Sequence, residues 1–472
     1  MSEILKIKKE LNSEEDIKRL FDITIKEAKE LNNKCNMFVT ITDEYNHINS
    51  DSVLNGIPYT LKDNFSTSGI LTTASSNILK SYVPVYDSTV YKKLKTSGAV
   101  LIGKTVLDEL AMGGTGTTGH TGIVKNPLDE NRLIGGSSAG SAASVASGLV
   151  PFSIGSDTGD SVRKPASFGG VVGFKPTYGR ISRYGLFNFA SSLDHVGIFS
   201  RTVMDAAIVT DILKGYDEKD MTSLKDDGIK YVNEINNDVT GKKLFYIKEI
   251  IDVETNDENV LKNIELFHKL IDKIKENGIE VEEVSFDKSL LNALLGSYYS
   301  ISCAEATSNN SNLTGIHFGE RKEGKDYKEI MINTRTEGFS ELIKRRFVLG
   351  SYILKRENQE KLYLNALRVR RLVVEKMNEL FAKYDGLILP ASGSIAPLIN
   401  SDTSNKLTSE YLLLENHLVI GNFGGYPSIT LPYAKIDNMP LGINLTCGVN
   451  KDALTLNIAN KLEELINYKE VI

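Results

Sequence analysis

Residues 135–167 read GGSSAGSAASVASGLVPFSIGSDTGDSVRKPAS. The first eight, GGSSAGSA, have the composition of a flexible linker. A linker separates folded units, yet this one runs directly into Ala142, Ala143, Val145 and Ala146, and then into the apolar LVPFSIG of 149–155. The small residues predict a helix over 142–148 that packs close to its neighbours. The apolar run predicts core. Glycine and serine at this density therefore belong to an interior where backbone can approach a ligand. Residues 151–200 as a whole are dense in Gly, Ser and Pro. They read as a core of loops and short strands with little helix.

Working outward, helix and strand signals alternate. Ile17, Leu20, Phe21, Ile23, Ile25 and Ala28 recur at helical spacing, which predicts a helix over 14–33 ending near Asn32 and Asn33. In GIPYTLKDN (56–64), Ile57, Tyr59 and Leu61 alternate with Pro58, Thr60 and Lys62, the pattern of a strand that ends at a charged loop. A helix over Val90–Ser97 and a short buried strand over Ala99–Ile102 follow. KKLFYI (242–247), a helix over 257–277 and IEVEEVSF (279–286) form a βαβ-like unit, with Asn256 as N-cap and Gly278 just past the helix end. A long helix is expected over 358–383, then strands in LILPAS (387–392) and PSITLP (427–432). The polar stretch Asp217–Gly228 reads as mobile. The class is α/β.

Composition excludes several functions. The net charge of −6 and isoelectric point of 5.7 argue against a chain that grips nucleic acid unaided, since phosphate binding needs clustered Lys and Arg. Cys35, Cys303 and Cys447 are far apart with no CxxC, so neither a disulfide framework nor a zinc site is expected. The N-terminus MSEILKIKKELNSEEDIKRL has no apolar leader region, and no run approaches the roughly 18 apolar residues of a membrane span. The expectation is a cytoplasmic protein without metal.

Three stretches compete as the site. GAVLIGKT (98–105) matches the phosphate-loop pattern G-x-x-x-x-G-K-[ST], but Ala, Val, Leu and Ile in its middle favour a buried strand over a phosphate-wrapping turn. GSSAG (136–140) matches the nucleophile elbow G-x-S-x-G with Ser138 as nucleophile. That reading needs a preceding strand and a histidine base, and no motif marks His195 or His417 as one. The third reading joins distant segments. In GSDTGDSVRKPASFGG (155–170), Ser161 follows a turn of Thr158, Gly159 and Asp160 whose N–H groups could converge as an oxyanion hole. A lysine held neutral by burial can serve as base for a serine, and Lys62 ends the 56–64 strand.

Over nearly its whole length the chain resembles the amidase signature family. The resemblance is carried by GIPYTLKDN (56–64), GAVLIGKT and DELAMGG within 98–114, the opening stretch 135–167, and GVVGFKPTYGRISRYGLFNFASSLDHVGIFSRTV (170–203). It implies an amidase signature fold, a mixed central β-sheet covered by helices on both faces. It also implies one large domain over 1–472: an N-terminal helical part (1–50), a signature core (56–203), an α/β insertion and helical part (215–380) and a C-terminal completion (385–472). By motif, the family's Ser–cis-Ser–Lys triad falls on Ser161 as nucleophile, Ser137 as bridging cis-serine and Lys62 as base. Ser161 follows Ser137 by 24 residues, as the family pattern requires. The implied oxyanion hole is the N–H groups of Thr158, Gly159, Asp160 and Ser161, with Ser138 and Asp157 in support.

Within that family the chain most resembles the glutamine-hydrolysing components of tRNA-dependent amidotransferases. The matching segments are 175–197, YYSISCAEATSN (298–309), RTEGFSELIKRRFVLGSY (335–352) and ENHLVIGNFGGYPSITLP (415–432). The resemblance implies hydrolysis of glutamine, with ammonia passed to a tRNA-binding B subunit that uses ATP and Mg²⁺, and with a small C subunit completing a heterotrimer. No cofactor is implied on this chain. The implied glutamine pocket uses Met112, Gly113 and Gly114, Arg345 or Arg346 for the α-carboxylate, Glu415 for the α-ammonium, and Tyr298 or Tyr299 nearby. Three places depart from the family pattern: Asp160 stands for Gly, TGTTGH (115–120) replaces Ser-Thr-Glu-Asn-Ser, and Glu415 stands for Asp. The carboxylate of Asp160 is expected to point away from the oxyanion hole. A free-standing amidase for another amide and a non-enzymatic protein on this fold are the rival readings.

Overall fold

The alternation of 56–64 becomes a strand with two unlike faces in the computed structural model, which describes residues 2–401 and 409–467. Tyr59 and Leu61 join Phe152 and Ile154 in an apolar cluster beneath the sheet. Thr60 and Lys62 face the other way. Thr60 Oγ1 bonds Ser144 Oγ at 2.7 Å and Lys62 Nζ donates to Ser137 Oγ at 2.8 Å. The helix of small residues, Ala139–Ala146, therefore lies on the polar face, and every residue in it is buried.

In chain order the strands are β1 (Phe38–Ile41), β2 (Pro58–Lys62), β3 (Val100–Thr105), β4 (Lys125–Asn126), β5 (Asp129–Leu133), β6 (Phe152–Asp157), β7 (Val172–Lys175), β8 (His195–Ser200), β9 (Lys243–Ile247), β10 (Glu280–Val284), β11 (Gly386–Pro390), β12 (Ser428–Ile436) and β13 (Met439–Cys447). Among the described residues β4 and β5 pair as a hairpin. The other eleven form one sheet in the order β1-β3-β2-β6-β8-β7-β12-β13-β11-β9-β10. The segments β3-β2-β6 and β11-β9-β10 are parallel, and the strands between them are antiparallel, so the sheet is mixed. Helix Glu14–Cys35 and helix Ala139–Ala146 bury their apolar residues on one face. Helices Thr89–Thr96 and Val203–Leu213 cover the other.

The βαβ reading of 242–286 is borne out: β9 and β10 are parallel neighbours joined by helix Glu258–Glu276. Its cap is Asp257, whose carboxylate accepts from the N–H groups of Asn259 and Val260, and not the expected Asn256. Helix Glu14–Cys35 runs two residues past the expected end and stops at Asn36, which adopts the left-handed conformation. The long helix expected from 358 begins with an α-helical turn over Arg356–Gln359, passes through a π-turn over Glu360–Leu364 and is α-helical again over Asn365–Phe381. Asp217–Gly228 is tied down by charge, contrary to expectation. Lys214 Nζ lies 2.7 Å from Asp227 and 3.0 Å from Asp226, and Asp217 accepts the hydroxyl of Ser182. Within the C-terminal part, 402–408 and 468–472 lie outside the described residues. No described helix is long and apolar enough to cross a membrane.

Candidate active site

GAVLIGKT is β3 and its flanking turn, with all six strand residues buried. Lys104 is spent on the Phe65 carbonyl at 2.9 Å, Thr72 Oγ1 at 2.8 Å and Asp63 at 3.3 Å, so no phosphate turn exists there. The elbow reading fails too. Ser138 Oγ donates to the Ser156 carbonyl at 3.0 Å and accepts from its N–H at 3.3 Å. His195 and His417 are buried, each with Nδ1 on a nearby carbonyl.

The third reading assembles. Lys62 Nζ sits at the end of β2, fully buried, 2.8 Å from Ser137 Oγ, 2.9 Å from Ser156 Oγ and 3.3 Å from the Ser156 carbonyl. Burial pulls Lys62 down to about 7, against the opposing pull of Asp108, Asp157 and Asp194. The Gly136–Ser137 peptide is cis. Ser138 N–H donates to the Ser161 carbonyl at 3.3 Å, which seats the Ser161 turn against the cis turn. The Ser161 hydroxyl itself makes no hydrogen bond among the described residues. Nor do the N–H groups of 158–161, whereas the next one, Val162 N–H, is taken by Asp157 at 2.9 Å. Four consecutive unused donors beside a free hydroxyl suit a developing oxyanion.

Asp157 orients this turn through Arg163, a residue not singled out from the sequence. Arg163 is fully buried and spans Asp157 (2.9 and 3.1 Å), the Gly159 carbonyl (2.7 Å), Asn422 Oδ1 (2.7 Å) and the Leu418 carbonyl (2.7 Å). Burial pushes the Asp157 carboxyl up, but the guanidinium outweighs it and holds it well below the usual range. Asp108 is a second such residue. Its N–H donates to the Ser137 carbonyl at 3.1 Å, and its carboxylate accepts the N–H groups of Thr115, Gly116, Thr117 and Thr118. A Cβ on Gly136 would come within 2.1 Å of that carboxylate, so only glycine fits beside the cis bond. The departing segment TGTTGH thus closes around Asp108. The Gly114 carbonyl accepts Gly136 N–H at 3.0 Å, Gly113 abuts Asp108, and Met112 is buried in the core.

The sequence profile of the Amidase family matches residues 22–456. The chain belongs to the amidase family. The A subunit of the glutamyl-tRNA(Gln) amidotransferase of Streptococcus pneumoniae (strain ATCC 700669 / Spain 23F-1) is 37% identical over 479 aligned residues, covering 98% of this chain and 95% of that one. Its namesake from Agathobacter rectalis is also 37% identical, over 98% of this chain and 92% of its own. The crystal structure of the glutamyl-tRNA(Gln) amidotransferase A subunit from Thermotoga maritima superposes with a TM-score of 0.82 at 34% identity, covering 98% of this chain and 94% of that one.

In this amidase the residues expected to line the pocket divide. Tyr298 lies over the 158–161 turn, where a Cβ on Gly159 would be 3.0 Å from its hydroxyl. Tyr299 packs on Tyr298 at 5.7 Å and under the Arg346 guanidinium at 5.1 Å. Among the described residues Arg346 Nε and Nη1 are buried without hydrogen-bond partners, while the neighbouring Arg345 is exposed. Of the two arginines, Arg346 is the one with donors to spare for a carboxylate. Glu415 is not free in the same way. Its Oε1 accepts Gly393 N–H at 2.7 Å and its Oε2 lies 3.4 Å from Lys164 Nζ. Lys164 also lies 3.1 Å from Asp160. Burial pushes Asp160 up, partly offset by Lys164. Among the described residues no group of three His, Cys, Asp or Glu is placed to hold a metal ion.

Arg163→Leu is expected to destabilise the fold by about 3–5 kcal/mol, because it strands the buried Asp157 charge. Urea denaturation measures this, and a loss under about 1 kcal/mol would show that Arg163 is dispensable.

Proposed function

We propose that this amidase is the glutaminase component of a tRNA-dependent amidotransferase. The observation that carries this reading is similarity over 98% of the chain to the A subunits of glutamyl-tRNA(Gln) amidotransferases. Glutamine binds with its α-carboxylate on Arg346. Ser161 Oγ attacks the side-chain amide carbon as its proton passes through the Ser137 hydroxyl to neutral Lys62. The N–H groups of 158–161 hold the tetrahedral oxyanion. Collapse returns the proton to the leaving nitrogen, so ammonia departs and a γ-glutamyl ester stays on Ser161. Water, deprotonated along the same relay, releases glutamate. The ammonia amidates Glu-tRNA(Gln) on a partner B subunit, with Asp-tRNA(Asn) the alternative acceptor. A small C subunit completes the trimer in the cytoplasm. ATP and Mg²⁺ serve the B subunit, and no step on this chain draws on them.

The test is ammonia release from glutamine by the purified chain, alone and with the B and C subunits, charged tRNA and ATP. Release that rises in the complex supports the reading. Turnover of other amides by the lone chain with no response to glutamine overturns it in favour of a free-standing amidase. Arg346→Met is expected to raise KM for glutamine about tenfold or more, since it removes a charge-assisted pair, while Arg345→Met stays within about twofold. Equal effects of the two would remove Arg346 from the pocket.

A further inference from the structure

Asp160 is chemically out of place. It carries a carboxylate on a residue whose own N–H is assigned to the oxyanion hole, directly before the nucleophile. A fixed negative charge there opposes the charge that develops in the transition state. Lys164 is out of place as well. It stands in the first turn of helix Arg163–Gly169, where a cation opposes the helix dipole. The two anomalies meet. Lys164 Nζ lies 3.1 Å from Asp160 Oδ2, one helical turn apart, with only 11% of the lysine side chain exposed. The ammonium is anchored from behind by the Glu415 carbonyl at 2.6 Å and the Glu415 carboxylate at 3.4 Å. Asp160 and Glu415 together keep its proton on more firmly than in water, against the pull of burial.

We infer that Lys164 is a positioning residue for catalysis: it neutralises Asp160 and draws that carboxylate off the oxyanion donors, so that the Gly159-Asp160-Ser161 turn can stabilise negative charge. The inference rests on the oxyanion-hole assignment above. It makes Lys164 necessary only because Asp160 is present.

The experiment is a paired replacement in the complete amidotransferase complex, with kcat and KM for glutamine read separately. Lys164→Gln is expected to lower kcat about 10²-fold, the scale of losing one oxyanion donor, with KM moving less than about threefold. Adding Asp160→Asn to Lys164→Gln is expected to recover at least about tenfold of that loss, because it removes the stranded charge. A merely structural lysine would show no such recovery. The inference is overturned if Lys164→Gln leaves kcat within about threefold, if the double variant is no faster than the single, or if Glu415→Gln restores activity in place of Asp160→Asn. Should Lys164→Gln not fold, Asp160→Asn is compared with Asp160→Asn/Lys164→Gln. Their kcat values are expected to agree within about threefold, and a gap above about tenfold overturns the inference. If the wild-type complex releases no ammonia from glutamine, that result counts against the amidotransferase reading. The same comparison on whichever amide it hydrolyses still decides the role of Lys164.

Discussion

Ser161→Ala is expected to cut glutamine-dependent ammonia release by about 10⁴-fold or more while leaving the fold intact. The two neighbouring serine hydroxyls are already engaged. Ser137 is bonded to Lys62 and Ser138 is held by Ser156. The residue itself is 4% exposed, and its hydroxyl has no hydrogen-bond partner to lose among the described residues. Stability should therefore move by less than about 0.5 kcal/mol. The measurements are initial rates of ammonia formation in the complex and a thermal melt of the chain. More than about 1% residual activity, confirmed free of wild-type enzyme, would remove Ser161 as nucleophile.

Lys62→Met is expected to be as inactive as Ser161→Ala but more stable than wild type, and the two effects share one cause. The base must be neutral to accept a proton, and burial brings Lys62 to about 7 from its ordinary 10.5. In the wild type, kcat/KM should rise with pH through about 7, as Lys62 loses its proton, and then level. An acid limb centred near 5 would point to a carboxylate base. For stability the sign is the reverse of an ordinary ion pair. The folded pKa lies below the unfolded one, so between about 7 and 10.5 the unfolded chain binds a proton that the folded one does not. Stability rises with pH across that window, and below about 7 the full penalty of a buried ammonium is present. The Tm gain of Lys62→Met over wild type should be largest below about pH 7 and shrink toward pH 10, partly offset by the hydroxyls of Ser137 and Ser156 losing a partner. A constant gap, or a destabilised variant at every pH, would contradict a lysine held neutral by burial.

Helices Glu14–Cys35 and Glu258–Glu276 are legible in the chain because each has one wet face, which imposes a 3.6-residue period. Helix Arg163–Gly169 is not legible, because all seven of its residues are buried and no period exists to read. The choice of Arg346 over Arg345 had a local signal. Ile343, Phe347 and Gly350 are buried on helix Glu341–Ile353, and position 346 falls on their side. The roles of Asp108 and Arg163 had none, since the contacts that tie them to the site reach other segments, Ser137 for Asp108 and Leu418 and Asn422 for Arg163. Polar composition misled at Asp217–Gly228, where the charges that suggest mobility are paired with Lys214 and so fasten the segment down.

The sequence by itself determined the α/β class and the family, and it singled out Lys62, Ser137 and Ser161 as the candidate triad, because residue order, short-range periodicity and an extended motif are local properties. Only the tertiary structure decided that Lys62 is dry enough to be a base, that Arg346 has unused donors, and that Lys164 holds both Asp160 and Glu415. Burial and charge pairing depend on what the rest of the chain brings within a few ångströms, and the order of residues alone does not state those distances.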